Sequence, residues 1–400
     1  MRALLLVAAA AWVVLNGINA LHKGGDFSVY LDAGTRFLQG TPLYEASTIA
    51  AGLVGPPFQP VLFVPFALVA TSGVEVARLA WYVFNVLCLA IGLYAWHLAL
   101  TPASPAHAPG SPSKFVWPLL AVMYPLQTNF EHQNINAVLL AFAGVGALRE
   151  SQGRSRAAGL WLGAAAALKV FPLLLLAVLA VRRCWRTLAW ASATAVVLTL
   201  LPVLRYGAQG YIDLVHDWWS FSGQGHWPIR RHNQSLFAML GRYLGPADLL
   251  TWGPIPETAS PGVHLVWLVT ALVVTAVFLW MVARMTLPSS PESTTVALAA
   301  GLCLAVLLSP IAWEHYWLLL WPAFAVVYNP PASTPSWVRM AFWAGAILTS
   351  GIARPTVGRA GVAIARGLSV RTWAGAIVLI ANLAVFRTLQ HGRDYHVRTT

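Results

Sequence analysis

Ionisable side chains are scarce in this chain, and four short segments stand out as places to move a proton or hold an anion. Asp26 follows the glycine pair Gly24-Gly25. Glu131-His132 and Glu314-His315 occupy very short turns between apolar runs. Arg230-Arg231-His232 leads into Asn233-Gln234-Ser235, behind a tract containing Trp218, Trp219 and Trp227. A carboxylate held at a membrane surface can take a proton from a hydroxyl as general base, and Asp26 is placed for that task. Asp is also a preferred helix N-cap residue, so both readings of Asp26 stay open. Three potential cations in a row suit an oxyanion, phosphate above all, because the planar arginine fork matches it. Ionisable groups between apolar spans mark function when they face a cavity. For Glu131 and Glu314 a structural polar turn is the alternative, and each tryptophan taken singly reads as an interfacial belt residue.

Membrane helices must position these segments. Of 400 residues, 58% are hydrophobic and 10% charged, against about 25% charged in a soluble domain. A water-soluble fold is excluded, and the composition predicts an all-α polytopic membrane protein with one multi-span domain over 1–400. Apolar stretches fall at 3–21, 57–71, 76–100, 115–128, 134–148, 157–168, 170–181, 187–204, 262–286, 294–309, 315–328, 337–352 and 372–389. The first reads as a retained anchor, since no small-x-small cleavage site leads from it into a polar domain. The net charge of +12 is mostly arginine at span ends. That is the positive-inside pattern, with contact to anionic membrane lipids, and not a nucleic-acid surface. Cys88, Cys184 and Cys303 lie far apart, without metal or redox spacing.

Two arginine clusters set the topology. Arg149, Arg154 and Arg156 precede the stretch 157–181, and Arg182, Arg183 and Arg186 follow it. A single crossing would put one cluster outside. Lys169-Val170-Phe171-Pro172 interrupts the stretch, and proline removes a helix donor and clashes with the preceding turn. A hairpin of two short helices keeps both clusters cytosolic, with Lys169 at its outer tip; one long, kinked helix is the alternative. The hairpin threading does not let both 57–71 and 76–100 cross, so one is re-entrant or interfacial, and 57–71 is the better candidate. The same threading places on the extracytosolic side the loop 22–56 with an interfacial helix from Asp26 to Leu38, the turn 127–134, the large loop 205–260 and the turn 309–315. Nine of the thirteen acids then lie outside: Asp26, Asp32, Glu45, Glu131, Asp213, Asp217, Asp248, Glu257 and Glu314. The arginines of 354–371 also fall outside, against the positive-inside rule.

Six segments in this order, DFSVYLDAGTRFLQGTPLY, PPFQP, EHQNIN, AAGLWLGAAAALKVFPLLLL, HNQS and SPIAWEHYWLLL, resemble glycosyltransferase family 87 over roughly residues 20 to 330. These are membrane-embedded GT-C mannosyltransferases that depend on polyprenol-phosphate-mannose. The resemblance implies a GT-C type transmembrane helix bundle with extracytosolic loops, in the cell membrane. It implies a polyprenyl-phosphate sugar donor, a glycolipid or polysaccharide acceptor, and inverting transfer with Asp26 as base. Lys169, Arg230, Arg231 and His232 would then hold the donor phosphate. Glu131, Gln133, Asn134, Asn233, Gln234, Glu314 and His315 would bind the sugar or the acceptor. No cofactor or metal is expected, because arginine and lysine alone can stabilise a lipid-phosphate leaving group. The family's Gly-Gln-x-Asn pattern stands here as His132-Gln133-Asn134-Ile135-Asn136, without the glycine, leaving Gln133 with Asn134 or Asn136. A transporter or flippase of lipid-linked sugars is the alternative function, one that would place charges near the midplane and on both faces. A non-catalytic assembly subunit is a third.

Overall fold

The structure, a computed structural model, describes residues 2–44, 55–101, 113–222, 227–245, 249, 258–284 and 291–398, among which no β-sheet occurs. Helices α1 (Arg2–His22) and α2 (Gly25–Gln39) open the chain. The stretch expected to be re-entrant consists of short pieces: a 3₁₀ turn Gln59–Phe63, helix α3 (Val64–Val69) and a second 3₁₀ turn Ala70–Ser72. None reaches the ~20 residues of a simple span. Next come α4 (Val74–Leu100), α5 (Ser113–Ala121), α6 (Met123–Glu131), α7 (Asn136–Ser151), α8 (Ser155–Leu168), α9 (Leu173–Val181), α10 (Trp185–Leu200) and α11 (Val203–Ser222). The chain continues through α12 (Leu236–Leu244), α13 (Pro261–Arg284), α14 (Pro291–Leu308), a 3₁₀ stretch Glu314–Leu320, α15 (Trp321–Tyr328), α16 (Trp337–Ala346), α17 (Arg354–Gly367) and α18 (Val370–Arg398). Glu45, Asp248 and Glu257 lie outside the described residues.

The chain is an all-α, multi-pass membrane protein. Among the described residues, α4, α13 and the part of α18 up to Leu389 are each long and apolar enough to cross a bilayer, and α10 meets α11 at an 85° bend. Leu265, Leu268, Leu272, Val273 and Trp280 of α13 are all exposed, as expected of a helix that faces acyl chains.

Small residues let the helices approach closely, the usual packing device where lipid is as apolar as leucine. A Cβ added at Gly92 of α4 would lie 2.8 Å from the Ala141 backbone of α7, and Gly159 and Gly163 of α8 meet α10 in the same way. Their partners fix the direction. Gly159 faces Thr187 and Ala191, while Gly163, one turn later, faces Ala191 and Thr194. Helices α8 and α10 are therefore parallel, and α9 must return between them. The expected hairpin is present, and both arginine clusters stand at one end of it, with the Arg156 guanidinium 4.9 Å from the Trp190 ring.

Candidate active site

Helix α2 begins at Gly25 behind the N-cap residue Gly24, so Asp26 stands in the first turn and does not cap the helix. An acid is favourable there, near the positive end of the helix dipole. One face of α2 is buried on an aromatic cluster: Phe27 stacks on Trp81 with ring centroids 5.9 Å apart, and Tyr30 on Phe63 at 4.6 Å. The Asp26 backbone N–H donates to the His132 carbonyl over 2.8 Å. Gly25 has φ +49°, and a Cβ there would lie 2.5 Å from that same carbonyl oxygen. Gly25→Ala therefore combines a left-handed backbone with a collision, and it moves Asp26 while leaving the helix bundle in place. It is expected to lower activity on the order of 100-fold with the protein still folded; unchanged turnover would show that this contact does not position Asp26.

The His132–Asn136 turn ties the surrounding elements together. Gln133 donates to the Ala20 and Lys23 carbonyls at 2.8 and 2.7 Å, tying down the end of α1. Asn134 donates to Asp26 Oδ2 at 2.6 Å and to the Tyr30 hydroxyl at 2.9 Å. Asn136 donates to the His315 carbonyl at 3.3 Å and accepts from Lys169 Nζ at 3.3 Å. The glycine missing at position 132 is not needed, since His132 adopts ordinary right-handed angles, φ −91° and ψ −6°. The left-handed residue of this turn is Gln133, with φ 50°.

Asp26, Tyr30, Asn134, Lys169 and Tyr316 line one cavity of about 670 Å³. Trp218, Trp219, Trp227, Trp267 and Trp313 form part of its wall, and an apolar side is built from Leu173, Leu174 and Ala177 of α9 with Ala305 and Leu308 of α14. Lys169 ends α8 at the hairpin tip, buried, with Nζ 3.8 Å from the Tyr316 ring centroid. Burial pushes its ammonium down to about 7, against the opposing charge of Asp26. His315 Nε2 lies 4.0 Å from Asp26 Oδ2. That nitrogen and Asn134 Oδ1 are buried atoms without a hydrogen-bond partner among the described residues, and buried polar atoms normally have one. Among the described residues no three His, Cys, Asp or Glu side chains converge as a metal site.

The remaining predicted residues gather elsewhere. Glu314 is buried between Arg366 and Arg371: Arg366 Nε donates to Oε1 over 2.9 Å, and further bonds come from Arg366 Nη2 and Arg371 Nη1. Tyr124 donates to Glu314 Oε2 at 3.2 Å, and His232 Nδ1 stands 3.8 Å from it. Burial alone would raise the Glu314 carboxyl, but the charge of Arg371, the neighbouring His232 ring and the hydrogen bonds and charge of Arg366 hold it well below the usual carboxylate range. This pairing accounts for two of the arginines of 354–371: Arg366 and Arg371 neutralise Glu314. They were invisible to sequence reasoning as site residues, although arginines against the positive-inside rule signal a buried counter-ion. Arg231 donates to the Ala363 carbonyl at 3.1 Å, and Arg230 is exposed. Lys169 and the Arg230–His232 run are thus not joined in one cradle, because the run is pinned beside Glu314 and α17.

The same pinning uses up the HNQS amides. Asn233 donates to the Pro228 and Pro310 carbonyls at 2.8 and 2.9 Å and accepts from the Ser235 and Ala312 N–H groups at 3.2 and 2.9 Å. That fills its hydrogen-bonding capacity. Gln234 donates to the Arg231 and Arg366 carbonyls at 2.6 and 3.0 Å, and buried Arg242 donates to the Ile229, Arg230 and Asn233 carbonyls. These amides brace the loop against the 310–314 turn and do not line the Asp26 cavity. Glu131 is exposed and accepts from Gln127 at 3.2 Å.

The family model described as Glycosyltransferase family 87 matches residues 54–310, a stretch that contains Asn134 and Lys169 and excludes Asp26 and Glu314. The chain is 25% identical, over 98% of its length and 91% of the relative's, to a protein of Mycolicibacterium smegmatis named polyprenol-phosphate-mannose-dependent alpha-(1-2)-phosphatidylinositol mannoside mannosyltransferase. A protein of the same name from Mycobacterium tuberculosis is 25% identical over 76% of this chain and 69% of its own. No solved structure matches the chain.

Proposed function

Because this chain belongs to glycosyltransferase family 87, we propose that it moves a mannosyl residue from polyprenyl-phosphate-mannose to a hydroxyl of an extracytosolic glycolipid. The relatives' names point to an acceptor of the phosphatidylinositol mannoside class. The observation that carries the reading is that one cavity joins the Asp26 carboxylate, the Lys169 ammonium, an indole-rich wall and an apolar side. The donor's prenyl chain lies along the apolar side, with its phosphate at Lys169. Asp26 takes the proton of the acceptor hydroxyl as that oxygen attacks the anomeric carbon. The bond from that carbon to the phosphate oxygen breaks, and the lipid phosphate leaves with the electron pair. Lys169 stabilises the charge growing on it. Asn134, which lines the cavity and donates to Asp26 Oδ2, holds that carboxylate beside the sugar. Arg231 and His232 act indirectly, by holding the Glu314 turn. Attack from the face opposite the phosphate inverts the centre, so a β-linked donor gives an α-mannoside. Digestion of the radiolabelled product checks this: α-mannosidase should release the label, and release by β-mannosidase alone would sink the mechanism. The extracytosolic placement rests on the arginine clusters, which stand at the far end of α8 from Lys169.

Lys169 also sets a pH dependence. With its value lowered to about 7, the side chain is charged below that pH and neutral above it. In the free enzyme, kcat/KM for the donor should fall about tenfold per pH unit above neutrality, because the donor's phosphodiester does not itself titrate there. The guanidinium of Lys169→Arg keeps its charge, so this variant should lose the alkaline limb. Persistence of the limb in the variant would take Lys169 out of the phosphate site.

A further inference from the structure

At the other end of α8, about 20 Å from Lys169 by helix rise, the molecule carries a second cleft. It has a volume of about 750 Å³ and is lined by Arg154, Arg156 and Arg186 with Trp190 and Leu160. No carboxylate lines it, and all three arginines are exposed. The arginines come from two packed helix starts: Arg154 precedes α8, Arg156 lies in its first turn, and Arg186 lies in the first turn of α10. The Arg156 guanidinium lies over the Trp190 ring at 4.9 Å, which presents charge and an indole side by side. Beyond them, Leu160 and Trp161 of α8 and Val196, Val197 and Leu200 of α10 are exposed apolar side chains.

We propose that this cleft is a binding site for one anionic phospholipid, with its phosphate among the three guanidinium groups. The planar fork matches phosphate oxygens, Trp190 stands at the headgroup boundary where tryptophan is favoured, and the apolar side chains beyond it carry the acyl chains. A basic pocket between membrane helices at the arginine-rich end has the chemistry of an acidic headgroup site. A soluble anion would use the guanidinium groups but not the apolar stripe. Occupancy clamps the starts of α8 and α10, and α8 is the strut that ends at Lys169.

The test uses the purified, delipidated full chain in detergent and follows its melting temperature. Cardiolipin and phosphatidylglycerol should each raise it by several degrees, whereas phosphatidylethanolamine and inorganic phosphate should not. In the triple variant Arg154→Gln, Arg156→Gln, Arg186→Gln that rise should largely vanish, while the lysine triple variant keeps part of it. Native mass spectrometry should find one anionic lipid retained on the wild type and none on the glutamine variant. An equal rise in the glutamine variant, or an equal rise with phosphatidylethanolamine, would overturn the proposal. An equal rise with inorganic phosphate would show a soluble-anion site instead. Should the glutamine variant fail to fold, lipid retention by the wild type and the lysine variant decides, and no retained lipid on either overturns it.

Discussion

Asp26→Asn should cut turnover by about 10²- to 10⁴-fold, the range expected for loss of a general base, while the protein reaches the membrane in normal amounts with its melting temperature unchanged. The substitution is nearly isosteric, and the amide oxygen it introduces can still accept the Asn134 donor that now lies 2.6 Å from Asp26 Oδ2. The backbone bond from residue 26 to the His132 carbonyl is untouched. What disappears is the ability to take a proton. Because the Asp26 charge also helps keep Lys169 protonated, the KM for the donor should rise near neutral pH and return towards the wild-type value at lower pH, where Lys169 is charged without that help. Turnover equal to wild type would remove Asp26 from the reaction and leave Glu131 as the acid to test next. Glu314 is the poorer candidate, since both of its oxygens already accept from arginine.

The second large effect is on stability. Glu314→Gln leaves two guanidinium groups facing each other without their anion, and breaking a buried ion pair from one side typically costs about 3–5 kcal/mol. The Arg371 side chain is fully buried and that of Arg366 is 12% exposed, so solvent offers little relief. Folded yield and melting temperature should both drop sharply. In a double-mutant cycle, Arg366→Gln should cost less in the Glu314→Gln background than alone, because it removes one unpaired charge; additive costs would mean that Glu314 and Arg366 are not coupled. The sign with pH follows from the lowered carboxyl. Its contribution is fully present above the ordinary glutamate range and is lost progressively as pH falls through that range and below it. Melting between pH 5 and 7 should therefore owe no change to Glu314.

Much of this arrangement is legible in the sequence because bilayer physics leaves few choices. Two arginine clusters flanking a proline-broken apolar stretch favour a hairpin over one long, kinked helix, and the parallel contacts of Gly159 and Gly163 with α10 show the hairpin. The amphipathic spacing after Gly24-Gly25 becomes α2, with Asp26 on its first turn. Side-chain partners are harder to read. An amide such as Asn233 can bond a sugar hydroxyl or a backbone carbonyl equally well, and only the fold reveals that the Pro228 and Pro310 carbonyls occupy it. Arg366 and Arg371 stand 52 and 57 residues from Glu314, beyond any local pattern. The Arg230–His232 run looked like a phosphate cradle for its charge alone, yet its neighbours are Glu314 and α17. Lys169, a single cation behind an apolar helix, is the one the fold carries into the Asp26 cavity.

A transfer assay with the purified chain in vesicles separates sugar transfer from sugar carriage. Polyprenyl-phosphate-mannose labelled in the sugar is supplied with a phosphatidylinositol mannoside acceptor, and sugar and lipid phosphate are counted separately. Label should appear in the acceptor lipid, with one polyprenyl phosphate released per mannose transferred. Intact donor appearing in the opposite leaflet, with no label in the acceptor and no polyprenyl phosphate released, would contradict transfer and make the protein a carrier of lipid-linked sugar.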